Sequence, residues 1–97
     1  MRALLIRPIA AADIDEAHAW YAARSPKAAA RFLDTVSMVL AEIEARPESF
    51  PLVHRSVRRA LMPGHPFGVY FTLADDRITV LAVVHSRRHP RRWQRRA

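Results

Sequence analysis

The spacing of apolar residues changes near Pro47, and this change divides the chain into a helical part and a β-rich part. Apolar residues recur every three or four positions over residues 9–24, which predicts a first helix. Ser25 and Pro26 then supply an N-cap and a first helical residue, so a second helix is predicted over residues 26–46. Two helices joined by so short a link form an antiparallel hairpin. The apolar stripe of the second helix consists of Ala29, Phe32, Leu33, Val36, Val39, Leu40 and Ile43.

The β-rich part contains short runs of β-branched and aromatic residues separated by turn-forming residues. The last run, residues 78–84, is apolar at almost every position, which predicts a central strand buried on both faces. Residues 47–53 are predicted to be a loop that tucks Phe50 and Leu52 onto the core. The order β-α-α-β-β-β predicts an α+β fold, in which the helical hairpin packs on one face of a small, mostly antiparallel sheet. The predicted strands are residues 2–7, 56–62, 69–73 and 78–84.

Length and composition restrict the classes of protein that the chain can belong to. With 97 residues, 51% of them hydrophobic, it is expected to form one small domain over residues 1–97. It contains no cysteine, which excludes a disulfide scaffold and a thiolate metal site and fits a cytoplasmic location. No apolar run approaches the ~18 residues that a membrane span needs. No metal-binding spacing and no glycine-rich phosphate loop occurs, so we expect no metal and no cofactor.

The net charge of +7 lies almost entirely in the second half of the chain. Residues 1–50 hold six basic and seven acidic side chains, net −1, whereas residues 51–97 hold ten arginines and two acids, net +8. From about residue 85 onward the chain is an arginine-rich tail without an acidic residue. Because arginine presents a planar fork of donors to carboxylates and phosphates, the tail is predicted to bind acidic protein or nucleic acid. A solvated surface is the alternative.

Several motifs occur together in an order that is typical of one protein family. The chain has Ala-Asp-Ile-Asp-Glu-Ala at residues 12–17 and Val-Leu-Ala-Val-Val-His-x-Arg-Arg-x-Pro at residues 80–90. Over nearly its whole length the chain thereby resembles the RelE/ParE superfamily of bacterial type II toxins. It is most similar to the ParE-like, plasmid stabilization subgroup, judged by the Pro-Phe pair before the third strand and the His…Arg ending. The other matching residues are Trp20, Tyr21, Ser25, Pro26, Ala29, Arg31, Phe32, Arg58, Arg59, Pro66 and Phe67.

The resemblance implies a toxin that causes growth arrest until an acidic antitoxin, encoded beside it, neutralises it. ParE-like members inhibit DNA gyrase, whereas RelE-like members are endoribonucleases that cut mRNA on the ribosome. The branches share one fold, so the fold alone does not choose between them. A basic nucleic-acid-binding module without toxicity is a third hypothesis. Single-stranded RNA binders interleave aromatic and basic residues, whereas Tyr70 and Phe71 are followed here by Asp75 and Asp76, which argues against this third class.

The nuclease hypothesis makes specific demands on side chains. A metal-independent ribonuclease needs a group that transfers protons and cations that stabilise the phosphorane charge. His85 is the candidate acid or base, and Arg58 and Arg59 are the candidate cations, with Arg87 or Arg88 as a further cation; a histidine that caps the strand end is the alternative for His85. The two adjacent arginines point to opposite faces of their strand. RelE-like nucleases usually carry a late tyrosine and several lysines, whereas this chain has no late tyrosine and only Lys27, which favours the gyrase-directed branch.

Binding to the target or to the antitoxin is assigned to the tail and to two tryptophans. Trp20 lies at the edge of the apolar stripe of the first helix, where it either covers the core or docks a partner. Trp93, in the tail, offers a ring that can stack on a base. Arginine pairs four residues apart repel one another in a helix, so we predict that the tail is ordered mainly by its partner. The predicted binding residues are Arg87, Arg88, Arg91, Arg92, Trp93 and Trp20.

Overall fold

The structure, a computed structural model, describes residues 2–88 and 90–97. Helices and strands occur in the order β-α-α-β-β-β-β-α, with one 3₁₀ turn after the second helix. The predicted α+β class and the helical hairpin are confirmed. The elements are β1 (Ala3–Ile6), α1 (Pro8–Ala22), α2 (Pro26–Ala45), the 3₁₀ turn (Pro47–Ser49), β2 (Leu52–His54), β3 (Val57–Leu61), β4 (Phe67–Leu73), β5 (Arg77–His85) and α3 (Pro90–Gln94).

The hairpin of α1 and α2 covers one face of the sheet. Pro8 and Pro26 occupy the first turns of the two helices, where a missing N–H breaks no hydrogen bond. The Ser25 hydroxyl caps α2 by accepting a hydrogen bond from the Ala28 N–H at 2.9 Å. No helix in the described part of the chain is long and apolar enough to cross a membrane. The core between hairpin and sheet contains Ala10, Ala17, Phe32, Val36, Val39, Ile43, Ala60, Met62, Val69, Phe71, Ile78, Val80 and Val83.

The sheet has five strands in the order β1-β5-β4-β3-β2, with β1 parallel to β5 and the other pairs antiparallel. β5 is an interior strand and is buried at most positions, as its continuous apolar run predicts. It carries one extra residue, because Tyr70 of β4 pairs with Ala82 whereas the next residue, Phe71, pairs with Val80. This bulge shifts the alternation of side chains, so that Val83 rather than Ala82 faces the helices.

One strand of this sheet, β2, has no counterpart in the sequence prediction. The predicted loop over residues 47–53 is wrong at its end, because β2 begins at Leu52 and pairs with β3. Leu52 itself is 57% exposed instead of tucked onto the core, whereas Phe50 packs against the core as predicted. A strand of three residues is too short to show an alternating pattern, so the sequence carries no periodic signal for it.

The C-terminal helix α3 packs on the face of the sheet opposite the hairpin. Trp93 is only 5% exposed and stacks on the ring of Tyr70, with 4.4 Å between the ring centroids. This packing corrects the prediction that a partner orders the tail, because an indole buried in the protein's own core outweighs the repulsion among exposed arginines. The second core on this face contains Val57, Tyr70, Leu81, Ala82, Val84 and Trp93.

Candidate partner-binding site

The last residues of β5 extend beyond β1, and side chains cover the edge that this leaves. β1 pairs only with the first four residues of β5, so residues 81–85 have no strand beside them on that edge in the described chain. The Asp13 carboxylate of α1 accepts a hydrogen bond from the Val83 N–H at 3.1 Å. The Arg96 guanidinium donates to the Leu81 carbonyl at 3.2 Å. Part of an open sheet edge is therefore satisfied by α1 and by the C-terminal segment.

Asp13 is a buried carboxylate at the centre of an ionic network, with 5% of its surface exposed. Its two oxygens accept hydrogen bonds from both terminal nitrogens of Arg96, one of them at 3.3 Å. Arg92 lies 3.9 Å from the same carboxylate and 3.6 Å from that of Glu16. A buried carboxylate is stable only when it is paired and hydrogen-bonded, and this network meets both conditions. The sequence indicates only an acid in an early helical turn and carries no signal for this pairing.

A groove of about 400 Å³ opens between α1 and the end of β5. Its buried and half-buried lining includes Ala17, Tyr21 and Phe67, and its exposed lining includes Glu16. The groove is therefore mostly apolar and aromatic inside, apart from the buried Asp13 carboxylate, and charged where it meets solvent. Residues from three separate segments meet here, although no local pattern links them. The residues predicted from the sequence that line the groove are Trp20, His85, Arg88 and Arg92.

Trp20 forms an exposed wall of the groove. It is 53% exposed, and its ring meets the edge of the Tyr21 ring at 5.0 Å between centroids. The Arg24 guanidinium lies over the indole at 3.3 Å from its centroid and also donates to the Trp20 carbonyl at 2.7 Å. A cation stacked on an indole holds the side chain in one orientation while leaving it accessible. Trp20 is thus a preorganised apolar surface beside the groove.

Tyr21 and His85 occupy the inner part of the groove. Tyr21 stacks on Phe32 at 5.1 Å, and burial raises the pKa of its hydroxyl above 10, so the phenol is neutral at pH 7. The His85 ring lies 6.3 Å from the Phe67 ring, and its Nδ1 accepts a hydrogen bond from the Arg87 N–H at 3.1 Å. The histidine therefore caps the turn that follows β5.

The three candidate catalytic residues lie in separate places. The Arg58 guanidinium donates to the Phe50 carbonyl at 2.7 Å on the hairpin face, whereas Arg59 lies on the opposite face, as predicted for neighbours on a strand. Arg58 is level with Val80 of β5, five residues before His85, which corresponds to about 15 Å along the strand. The structure therefore does not bring Arg58 or Arg59 to His85, whereas Arg88 lines the same groove as His85.

Arg59 and Tyr70 form a buried polar contact on the second face of the sheet. The Arg59 side chain crosses over Gly68, where an added Cβ would lie 3.2 Å from Arg59 Cγ and Cδ and from Tyr70 Cε1. Neither Arg59 Nε nor Tyr70 Oη has a hydrogen-bond partner among the described residues. Burial raises the pKa of the Tyr70 hydroxyl above 10, and the neighbouring Arg59 charge opposes the rise without cancelling it.

The tail arginines divide into one internal residue and several exposed ones. Arg96 has only 10% of its side chain exposed and belongs to the Asp13 network. Arg87 and Arg88 are exposed in the turn after β5, and Arg91, Arg92 and Arg95 are exposed around α3. Trp93 points away from them into the second core, so its ring is not on the surface that the arginines form. Of the predicted binding residues, Trp93 is the one that the structure places inside the protein.

The fold and a match to a family model together define the class of protein. A helical hairpin on a five-stranded mixed sheet is a fold that this chain shares with a solved structure of a toxin–antitoxin system. The family model described as "ParE toxin of type II toxin-antitoxin system, parDE" matches residues 4–90, and the chain therefore belongs to the ParE toxin family. The family resemblance inferred from the sequence is confirmed.

A solved structure with the same fold is titled "Chromosomal ParDE TA system from P. aeruginosa". It superposes with a TM-score of 0.65, covering 88% of this chain and 96% of that chain, at 20% sequence identity. At this identity the likeness concerns the fold alone. No curated protein matches the sequence.

Proposed function

We propose that this chain is the cytoplasmic toxin of a type II toxin–antitoxin module, that a cognate acidic antitoxin neutralises it, and that its target is DNA gyrase. The observation that carries the proposal is the match of the ParE toxin family model over residues 4–90. The charge distribution supports an acidic antitoxin, because the half of the chain that forms β2 to α3 has a net charge of +8.

The groove between α1 and the end of β5 is the proposed docking site for the antitoxin. An apolar or aromatic anchor fits the lining of Ala17, Tyr21 and Phe67, and an acidic neighbour fits the exposed guanidiniums of Arg88 and Arg92. The orientation of the Trp20 ring is already held by Arg24, so little side-chain entropy is lost on binding. The groove therefore combines an apolar pocket with a charged rim, the arrangement that protein interfaces use at their most important contacts.

Two observations support gyrase over mRNA as the target. His85 is separated from Arg58 by about 15 Å of strand, and Arg59 lies on the other face of the sheet. A ribonuclease needs its proton-transfer group and its cations around one phosphate, within hydrogen-bond reach of the reacting atoms. In addition, the tail contains no tyrosine, and Tyr70 is buried beneath Trp93 and therefore not accessible as a general acid.

The test compares two assays on the same purified chain. In the first assay, supercoiled plasmid is incubated with gyrase and increasing concentrations of the chain, and cleaved DNA is measured after detergent and protease treatment. In the second assay, primer extension detects cleavage of mRNA in a translating extract. Gyrase-dependent accumulation of cleaved plasmid, reversed by the antitoxin encoded beside this chain, supports the proposal. Site-specific mRNA cleavage by the wild-type chain that is lost in His85→Ala, with gyrase unaffected, would overturn it in favour of a nuclease.

A further inference from the structure

We infer that the exposed arginines at the C-terminal end form a binding surface for the phosphate backbone of double-stranded DNA. This arginine surface consists of Arg87, Arg88, Arg91, Arg92 and Arg95. The inference goes beyond the proposed function, because it concerns direct contact between this chain and DNA and does not require that gyrase be the target.

Arg91, Arg92 and Arg95 lie on one surface, and Arg88 lines the groove beside α1 together with Arg92. The Arg95 N–H donates to the Arg91 carbonyl at 3.0 Å, so the helical hydrogen-bond pattern continues one residue past α3. Arg91 and Arg95 are therefore neighbours one turn apart, about 6 Å between their Cβ atoms. Together with Pro90 and Arg92 they line a second, shallow groove, which shares Arg92 with the groove beside α1. A double helix carries its phosphates in closely spaced rows, which suits a row of cations.

Most of this charge is not neutralised within the protein. In residues 2–88 and 90–97, no carboxylate lies within 4.0 Å of the guanidinium of Arg87, Arg88, Arg91 or Arg95. The Arg92 guanidinium forms an ion pair with the Glu16 carboxylate at 3.6 Å, but 42% of the Arg92 side chain remains exposed. The contrast with the nearly buried arginine of the Asp13 network is clear, because that residue stabilises the fold and these five face solvent.

The protein holds these like charges together against their mutual repulsion. Arginines four residues apart on a helix destabilise it, and α3 has only five residues. The segment is nevertheless fixed by the stacking of Trp93 on Tyr70 and by the pairing of Arg96 with Asp13. A helix whose charges repel one another is unfavourable by itself. Where contacts on either side hold such a helix in place, it is typical of a binding surface.

The partner is assigned to duplex DNA because the arginine surface has cations without exposed aromatic rings. Proteins that bind single strands, or read RNA loops, stack unpaired bases on aromatic side chains. Trp93, the aromatic residue of this segment, is 5% exposed and faces the core. Trp20 is exposed and lines the groove beside α1 together with Arg88 and Arg92, but the Arg24 guanidinium covers one face of its ring. A surface of guanidiniums alone recognises phosphates at regular spacing and is independent of base sequence.

The experiment measures binding of the full chain to a fluorescein-labelled 20-base-pair duplex of mixed sequence by anisotropy, from low to physiological NaCl. With four unpaired arginines on phosphates, the logarithm of the association constant is expected to fall against the logarithm of salt with a slope of about −3 to −4. Arg91→Gln combined with Arg95→Gln is expected to weaken binding tenfold or more and to reduce the slope by about 2. The matched control is Arg31→Gln with Arg46→Gln, which removes the same charge from exposed positions at α2 and should bind almost as the wild type does.

The following outcomes would contradict the inference. A slope shallower than −1, or equal loss of affinity in both double variants, would show that the arginine surface does not bind the backbone. Tighter binding of a single-stranded 20-mer or of an RNA duplex would reject duplex DNA as the partner. Because the assay contains no gyrase, it tests DNA binding independently of the proposed target. If the chain binds DNA but leaves gyrase unaffected, the proposed target is wrong and this inference stands. If the chain poisons gyrase without binding free DNA, this inference is wrong and the proposed target stands.

Discussion

The Asp13 carboxylate and the Arg96 guanidinium, 83 residues apart in sequence, form an ion pair with 4% and 10% of their side chains exposed. The pair joins α1 to the C-terminal segment, and each partner also bonds to a backbone group of β5. Three elements that are distant along the chain are thus held at one point, beside both the groove and the arginine surface.

Asp13→Ala is expected to lower the free energy of unfolding by about 3–5 kcal/mol, because it leaves Arg96 buried without a counter-charge and the Val83 N–H without an acceptor. Urea unfolding followed by circular dichroism measures the change. Asp15→Ala, an exposed acid on the same helix, is the control and should change stability by less than about 0.5 kcal/mol. Asp13→Leu with Arg96→Met should recover much of the loss; equal effects of the two alanine variants would contradict a structural role for the pair.

Trp93→Ala is expected to lower the free energy of unfolding by about 3–5 kcal/mol and to release α3, because the indole is the main apolar anchor of this segment on the sheet. Amide hydrogen exchange of residues 94–96 in the free protein should then rise, while exchange in α2 changes little. Trp20→Ala is the matched control, since that indole is 53% exposed. Rapid exchange of residues 94–96 already in the wild-type chain would mean that α3 is not held by Trp93.

Gly68→Ala is expected to destabilise the protein by about 1–3 kcal/mol, because the new Cβ meets the Arg59 side chain and the Tyr70 ring at 3.2 Å. Introducing Arg59→Ala as well should recover part of the loss, since Cγ and Cδ are then gone. Gly64→Ala is the contrast: its Cβ meets nothing within 4 Å, but its φ of 75° disfavours a side chain. Thermal unfolding of Gly68→Ala and Gly64→Ala, each alone and combined with Arg59→Ala, should show recovery at position 68 and none at position 64.

Stability is expected to fall with rising pH above about 10, because burial raises the pKa of Tyr21 and Tyr70 in the folded state above their value in the unfolded chain. The folded state then binds more protons than the unfolded state, so the stabilisation present below pH 10 is lost as the pH passes through the raised values. Tyr70→Phe should weaken this dependence. At pH 7 it should be neutral or slightly stabilising, since Oη has no hydrogen-bond partner within residues 2–88 and 90–97. A large loss at pH 7 would mean that the hydroxyl is satisfied in solution.

Antitoxin affinity is expected to fall tenfold or more in Trp20→Ala and in Arg88→Gln, because both side chains line the groove proposed as the docking site. Titration calorimetry with the antitoxin encoded beside this chain measures the loss. Met38→Ala and Arg31→Gln, which remove an exposed apolar and an exposed basic side chain from α2, serve as controls. If the α2 variants lose as much affinity as the groove variants, the antitoxin docks on the hairpin and not in the groove.

The elements that the sequence predicts well are those with a local signal. Helical periodicity and the Ser25-Pro26 boundary locate the hairpin, and the apolar run over residues 78–84 locates an interior strand. The family motifs likewise single out Trp20, His85 and Arg88, and the arginine-rich tail adds Arg92; the structure brings these four residues to one groove. Local patterns work here because each depends on residues within one or two turns of chain.

Features that depend on distant pairing carry no such signal. β2 is too short for a period, and the bulge in β5 appears only once β4 lies beside it. The separation of His85 from Arg58 likewise follows from strand register, which no single strand reveals.

By itself, the sequence determined the two helices, the strand-rich second half, the concentration of positive charge after residue 50 and the toxin family. The tertiary structure alone decided that Asp13 is a buried partner of Arg96, that Trp93 anchors the tail, and that five arginines remain free to meet solvent. Periodicity and charge are properties of neighbouring residues, whereas burial and ion pairing arise only when the sheet brings residue 13 and residue 96 together.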